Sequence, residues 1–266
     1  MTGSDRKVVI RFTALFVALS VGAVAGNNDE PWQRLAPGLE LARFQAGEAV
    51  VEVLRIDPEL WQTVALAVSD LGGDNRTMRQ WATEFDLTAV INAGMYATDL
   101  RTHTGYFHTG DHVNNPRWVQ RDYRQAACFE PREAGLPRFA LQDLDAVPES
   151  TFVHHFDIVI QNLRLVRKPR ENRWQPRPRR WSEACLGEDG QGRMLWIYCR
   201  RPLDMHAFNE IILGLPLDLV AAQHLEGGPQ ARLWLNPNRG GDKSADSGPL
   251  LPNVLGLRSR QGHSPG

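Results

Sequence analysis

Excess charge is the first thing this 266-residue chain lacks: 30 lysines and arginines stand against 31 aspartates and glutamates, for a formal net charge of −1 and a pI near 6.7. That balance argues against a nucleic-acid binder, whose affinity is built on many phosphate contacts. Cysteine is scarce too. Cys128, Cys185 and Cys199 are an odd number that cannot pair fully within one molecule, and no CxxC or Cys/His spacing suggests zinc. Nothing in the sequence points to a metal or a cofactor. The apolar run "FTALFVALSVGAVAG" is shorter than the ~20 residues that comfortably cross a bilayer.

That run begins at Phe12, follows Arg6, Lys7 and Arg11, and ends in the small-x-small pattern Ala23-Val24-Ala25. It reads as a cleavable secretory signal over residues 1–25, and no cysteine follows it to carry a lipid. Its removal leaves 27 basic against 30 acidic residues, a net charge of −3. The mature protein is therefore expected to be exported, periplasmic or extracellular, with no stable membrane span. With 42% hydrophobic residues the chain can bury a sizeable core. One basic, proline-containing run, "RLVRKPRENRWQPRPRR" (Arg164 to Arg180), departs from the even charge and reads as a solvated excursion.

Along the chain, "GLELARFQAGEAVVEVLRIDPELWQTVALAV" alternates apolar and polar residues in runs split at Asp57-Pro58, the pattern of an opening antiparallel pair. In "DNRTMRQWATEFDLTAVINAGMY" a helix capped by Asp74 or Asn75 gives way to a strand that ends at Asn92-Ala93-Gly94. The same order returns in "LDMHAFNEIILGLPLDLVAAQHLEGG": a helix capped by Asp204, a break at Gly214 to Pro216, and a strand ending at Glu226-Gly227-Gly228. Between them, Cys185 and Cys199 flank an expected hairpin centred near Gly190. In that register Cys185 faces Leu195 and Cys199 faces Trp181, which leaves buried free thiols rather than a bridge.

Two strands that end in a polar residue followed by glycine suggest one ligand-binding rim, because loops beyond strand ends carry polar groups on a rigid platform. Each motif also reads as a plain strand terminator. The loop "RTHTGYFHTGDHVNNPRW" adds His103, His108, Asp111 and Asn115 as polar candidates, and Tyr106, Phe107 and Trp118 as rings for a sugar face or for packing. His108 and His112 are four apart, but Gly110 lies between them, so the helical two-histidine metal geometry is not indicated.

The motifs "INAGMY" (Ile91 to Tyr96), "IVIQNLRLV" (Ile158 to Val166), "CLGEDGQGRMLWI" (Cys185 to Ile197) and "HLEGGPQA" (His224 to Ala231) resemble, in that order, those of the phosphodiester glycosidase family. The resemblance covers roughly residues 50–257 and implies an α+β fold with a mixed β-sheet core flanked by helices. It sets out a signal at 1–25, a lead-in at 26–49, a phosphodiester glycosidase-like domain at 50–258 and a tail at 259–266. The departures mark a divergent branch: Glu226 stands where the family has aspartate, Pro229 where it has a third glycine, and Gln230-Ala231 where it has two serines. Gln161 is kept, but Glu183 replaces an arginine, which leaves Arg179 or Arg180 as substitutes.

The chemistry implied is hydrolysis of a sugar C1–O–phosphate bond in a small-molecule or glycan phosphodiester. A carboxylate, Glu226, would stabilise or attack the oxocarbenium-like carbon, and a guanidinium, Arg180, would grip the phosphate with its planar fork. Asn92, Gly94, His103, His108, Asp111, Asn115, Gln161, Gly227 and Gly228 complete the expected substrate-binding set. A non-catalytic carbohydrate-binding module and a metal-dependent phosphoesterase remain as alternatives.

Overall fold

The computed structural model describes residues 21–23, 31–239, 241 and 248–260. The expected leader lies outside these residues except for Val21–Ala23, which pairs with Phe44–Ala46. Among the described residues no helix is long and apolar enough to cross a membrane.

Among the described residues the chain forms three antiparallel sheets. The largest has nine strands. Its main path runs Val21–Ala23, Leu39–Ala46, Ala49–Ile56, Met194–Leu203, Trp181–Asp189, Leu219–Gly227, Arg164–Arg167 and Glu171–Asn172, and Trp32–Ala36 pairs with Leu39–Ala46. The expected lead-in over residues 26–49 thus includes two strands of this sheet. A five-stranded sheet is ordered Phe139–Asp143, Gln125–Pro131, Phe156–Asn162, Phe107–Thr109, His112–Asn115. A four-stranded sheet is ordered Leu233–Leu235, Ala89–Asn92, Asn253–Ser259, Trp61–Ala67.

The two-residue repeat of a strand explains the layering. Successive side chains point to opposite faces, and one face of each sheet meets the others in a central core. Leu41, Leu54 and Trp196 from the largest sheet pack there with Phe129 and Ile160 from the five-stranded sheet and Ile91 and Leu255 from the four-stranded one. The far face of the largest sheet is covered by the Met205–Gly214 helix through Phe208 and Ile212. The Met78–Glu84 helix covers the four-stranded sheet through Met78 and Trp81, whose indole N–H donates to the Leu251 carbonyl at 3.1 Å.

Four expectations need correction. The core is not a mixed sheet flanked by helices: every strand pairing among the described residues is antiparallel, and helix is confined to short segments, so the fold is mainly β. The runs split at Asp57-Pro58 do not pair with each other. Ala49–Ile56 pairs with Leu39–Ala46, and the chain then crosses to another sheet as Trp61–Ala67. The Met78–Glu84 helix is capped by Thr77, because Gln80 three residues on completes a capping box that Asp74 and Asn75 stand too early to make. Asp204 does cap its helix, accepting from the Ala207 amide.

The fourth correction is the hairpin register, in which Cys185 faces Ile197 and Cys199 faces Glu183. The turn is centred one residue later than expected, because Gly192, not Gly190, takes the left-handed conformation, at φ 77°. Asp189 fixes it: its carboxylate accepts from the amides of Gln191 and Arg193 at 2.9 Å and from Arg193 Nε at 2.6 Å. All three cysteines are buried free thiols, as expected. Asp189→Ala strips a buried carboxylate of three bonds, so urea unfolding should report a loss of about 2–3 kcal/mol. A loss under about 0.5 kcal/mol, the scale of an ordinary surface substitution, would mean that Gly192 alone sets the turn.

Candidate active site at the Glu226 strand end

The Leu219–Gly227 strand does not keep its alternation to the end. Its partners are Cys185 for His224 but Ala184 for Glu226, so Leu225 is an extra residue in the ladder. Such a bulge bends the strand and re-aims the side chain beyond it. His224 stays on the side of Glu183, whereas Glu226 faces the rim and is coupled electrostatically to Tyr96 and Tyr123. Glu226 is 9% exposed, and its Oε1 accepts from the Gly227 amide at 3.0 Å. Burial raises its pKa above the ordinary carboxylate value. The Gly227 bond and His224 counteract that, and Glu183 adds to it.

Behind Glu226 lies a fully buried acid–imidazole pair. His224 Nδ1 sits 2.5 Å from Glu183 Oε1, and Trp181 Nε1 donates to Glu183 Oε2 at 3.0 Å. Burial alone would lower the pKa of His224. The carboxylates of Glu183 and Glu226 outweigh it and hold the imidazole above its ordinary value. Trp181 also explains Gly227: a Cβ there would stand 2.6 Å from the indole Cδ1, so the glycine admits a tryptophan rather than a substrate. Gly228 opens the turn that follows, and Ser182 Oγ donates to its carbonyl at 2.6 Å.

Asn92 reaches the same rim from a different sheet. Its Nδ2 donates to the Gln230 carbonyl at 3.1 Å and its Oδ1 accepts from the Arg232 amide at 2.9 Å, which clamps the turn after Glu226 to the end of Ala89–Asn92. Gly94 packs against His103: a Cβ at Gly94 would lie 2.2 Å from His103 Nε2. That ring is fully buried, with Nδ1 3.0 Å from Gly105 O, and its Nε2 has no hydrogen-bond partner. Asn162 closes the group by donating to the Leu225 carbonyl at 3.2 Å.

Asn92, Gly94, His103, Glu226, Gly227 and Gly228 are thus brought together, and two further expected residues support them from behind. Asn115 donates to the His103 carbonyl at 2.6 Å. Gln161 accepts from the amides of Tyr106 and Val119 and donates to the carbonyls of Val119 and Tyr123, so its whole side chain is spent on shaping the loop that presents Tyr123. Three others stand apart. His108 bonds Tyr106 Oη and the Phe156 carbonyl on the outer face of the five-stranded sheet, where burial lowers its pKa. Asp111 is exposed in the turn before His112–Asn115. Arg180 is exposed, while Arg179 stands over the Trp181 ring at 5.3 Å. Tyr106 and Trp118 stack on each other at 4.3 Å, and Phe107 is core, so these rings pack the loop.

Sequence reasoning missed the Glu183–His224 pair and the two tyrosines. The pair joins the Trp181–Asp189 strand to the Leu219–Gly227 strand, a non-local pairing that no local pattern reveals, and nothing local marks Tyr96 or Tyr123. Among the described residues no three His, Cys, Asp or Glu side chains converge to hold a metal ion.

His103 yields a pH test. Desolvation pushes its pKa from 6.5 to about 4, against a raising bond to Gly105. The folded chain therefore binds this proton less readily than the unfolded one. Its contribution is whole above pH 6.5 and drains away as pH falls toward 4, by about 3 kcal/mol in all. Urea unfolding at several pH values should show a shallower acid slope for His103→Gln than for the parent; equal slopes would place the acid sensitivity elsewhere.

Comparison with known proteins now bears on this site. The family model of the phosphodiester glycosidases matches residues 85–258, a span that contains Asn92, Gly94, His103, Glu183, His224 and Glu226. Two solved structures share the fold. The catalytic domain of zebrafish N-acetylglucosamine-1-phosphodiester alpha-N-acetylglucosaminidase, auto-inhibited by its pro-peptide, is 10% identical with a TM-score of 0.57 over 92% of this chain and 89% of that one. A hypothetical protein from Synechocystis is 12% identical with a TM-score of 0.60 over 91% of this chain and 68% of that one. No curated protein matches the sequence. With more than half of its length matched by the family model, the chain belongs to the phosphodiester glycosidase family.

Proposed function

We propose that this chain is an exported hydrolase that cleaves a glycosyl phosphodiester between the sugar C1 and the bridging oxygen, with Glu226 as its carboxylate. The observation that carries the reading is the bulge at Leu225, which turns one buried acid, Glu226, to the opposite face from His224 and onto the rim in a family member. Export rests on the leader pattern at residues 1–25.

As the bond to phosphate opens, positive charge develops at the sugar carbon and ring oxygen, and an ionised Glu226 stabilises or captures it; water then adds its oxygen to C1 and gives up a proton to solvent, which completes the hydrolysis. The leaving phosphate monoester, with a second pKa of about 6, needs little protonation near neutrality, so one carboxylate and an anchored phosphate suffice. The guanidinium of Arg179, from its place over Trp181, serves as the anchor. The Glu183–His224 pair biases the charge state of Glu226: imidazolium favours the ionised form and carboxylate opposes it. Asn92, tied to the turn by both ends of its amide, holds that turn rather than a sugar hydroxyl.

The test is release of reducing sugar from N-acetylglucosamine-1-phosphodiester analogues, with and without chelator. Glu226→Gln is expected to lower kcat by about 10³-fold or more with its circular dichroism unchanged. Because the ionised form acts and its pKa is raised, the parent should lose activity as pH falls through that value, a limb absent from residual turnover of the variant. Undiminished turnover by Glu226→Gln would sink the assignment. Sugar binding by the parent without turnover would favour a binding module, and loss of activity in chelator a metal-dependent phosphoesterase.

A further inference from the structure

The basic run reads as a solvated excursion in sequence, but it folds back to line a cavity of about 340 Å³. Six arginines line it: Arg121 and Arg124 from the loop ahead of Gln125–Pro131, and Arg164, Arg167, Arg173 and Arg177 from the run itself, the first two on the strand next to the edge of the largest sheet. Asp122 and Glu171 share the lining, and Asp143 and Asp145 sit behind it. Asp143 and Asp145 hold Arg124, Arg164 and Arg167, and Glu171 holds Arg173 at 2.9 Å. Against six guanidiniums there are four carboxylates, an excess of two positive charges. Arg121 and Arg177 are exposed and bond no carboxylate among the described residues.

A cluster whose inner arginines are fixed by ion pairs, and whose outer two are free, is preorganised for an anion: the fixed members lose little freedom on binding, and the free ones supply unpaired forks. Trp174 adds an aromatic wall. Its Nε1 donates to the Arg164 carbonyl at 2.8 Å and its own carbonyl lies 2.6 Å from His206 Nδ1, so the half-buried ring is held in place. Arginine forks beside a fixed indole suit sugars that carry phosphate or sulfate esters. Two chain links connect the cavity to the rim. Asp122 precedes Tyr123, which is coupled to Glu226, and Arg164 pairs with Gln223, three residues before Glu226 on the same strand.

We infer that this cavity is a binding subsite for an anionic sugar chain, one bearing phosphate or sulfate esters, whose next unit extends toward Glu226. Occupancy of the cavity is independent of any reaction; only the direction of the chain rests on the glycosyl phosphodiester reading.

Calorimetric titration of the full chain with a heparin-derived tetrasaccharide, which has no phosphodiester to cleave, tests binding without turnover, so its failure and that of the hydrolase reading are separable. Saturable binding that weakens at higher salt is expected, and Arg121→Ala/Arg177→Ala should raise Kd by about tenfold. Arg43→Ala/Arg201→Ala, which removes two exposed arginines paired with Glu52 and Glu48, should leave Kd unchanged. No saturable binding, equal weakening by both double variants, or equal affinity for neutral chitotetraose would overturn the inference. So would tripolyphosphate binding as tightly as the tetrasaccharide, which would remove the sugar, or tighter binding of an oligodeoxythymidylate, which would assign the cavity to nucleic acid.

Discussion

The 2.5 Å contact between Glu183 and His224 constrains everything at the rim. Neither group can be left alone in a space without water, because an unpaired buried charge costs several kcal/mol. Paired, each offsets the cost of burying the other, and the strand that carries His224 is therefore held against the strand that carries Glu183. With that anchor set, one extra residue at Leu225 decides which way Glu226 points. The direction of Glu226 thus depends on a pair of residues that lies behind it.

Three sheets are needed to complete the arrangement. The largest supplies Glu183, His224 and Glu226; the four-stranded sheet ends at Asn92, which grips the following turn; the five-stranded sheet ends at Gln161 and Asn162, which shape the loop of Tyr123 and bond the Leu225 carbonyl. Amide side chains do most of this joining. Each has a donor and an acceptor at fixed separation, so it can cross-link backbones that no ladder connects. The polar residues that sequence patterning marks as substrate contacts are, for Asn92, Asn115 and Gln161, such cross-links.

How much of this was legible in the sequence follows from the range of the forces involved. Local patterning identifies the strand ending at Glu226-Gly227-Gly228, the one ending at Asn92 and the Asp204 cap, because turn chemistry and alternation act over a few residues. It fails where a choice is non-local. Whether Trp61–Ala67 pairs with its neighbour in sequence or crosses to another sheet depends on distant partners, and a one-residue shift in the Asp189–Arg193 turn changes every cross-strand neighbour. Gly227 shows the same limit: it reads as room for a ligand, yet the space is taken by Trp181 from another strand.

The two faces of the largest sheet divide the labour. Glu226 opens onto the rim, but the pair that biases its charge shares its face with Cys185 and Cys199, under the layer sealed by Phe208 and Ile212 of the Met205–Gly214 helix. Water admitted beneath that helix would relax the desolvation of Glu183 and His224, and so retune the acidity of Glu226 from the rear. Within such an architecture, the charge state of the rim carboxylate can shift through substitutions in a helix that carries none of the rim's residues.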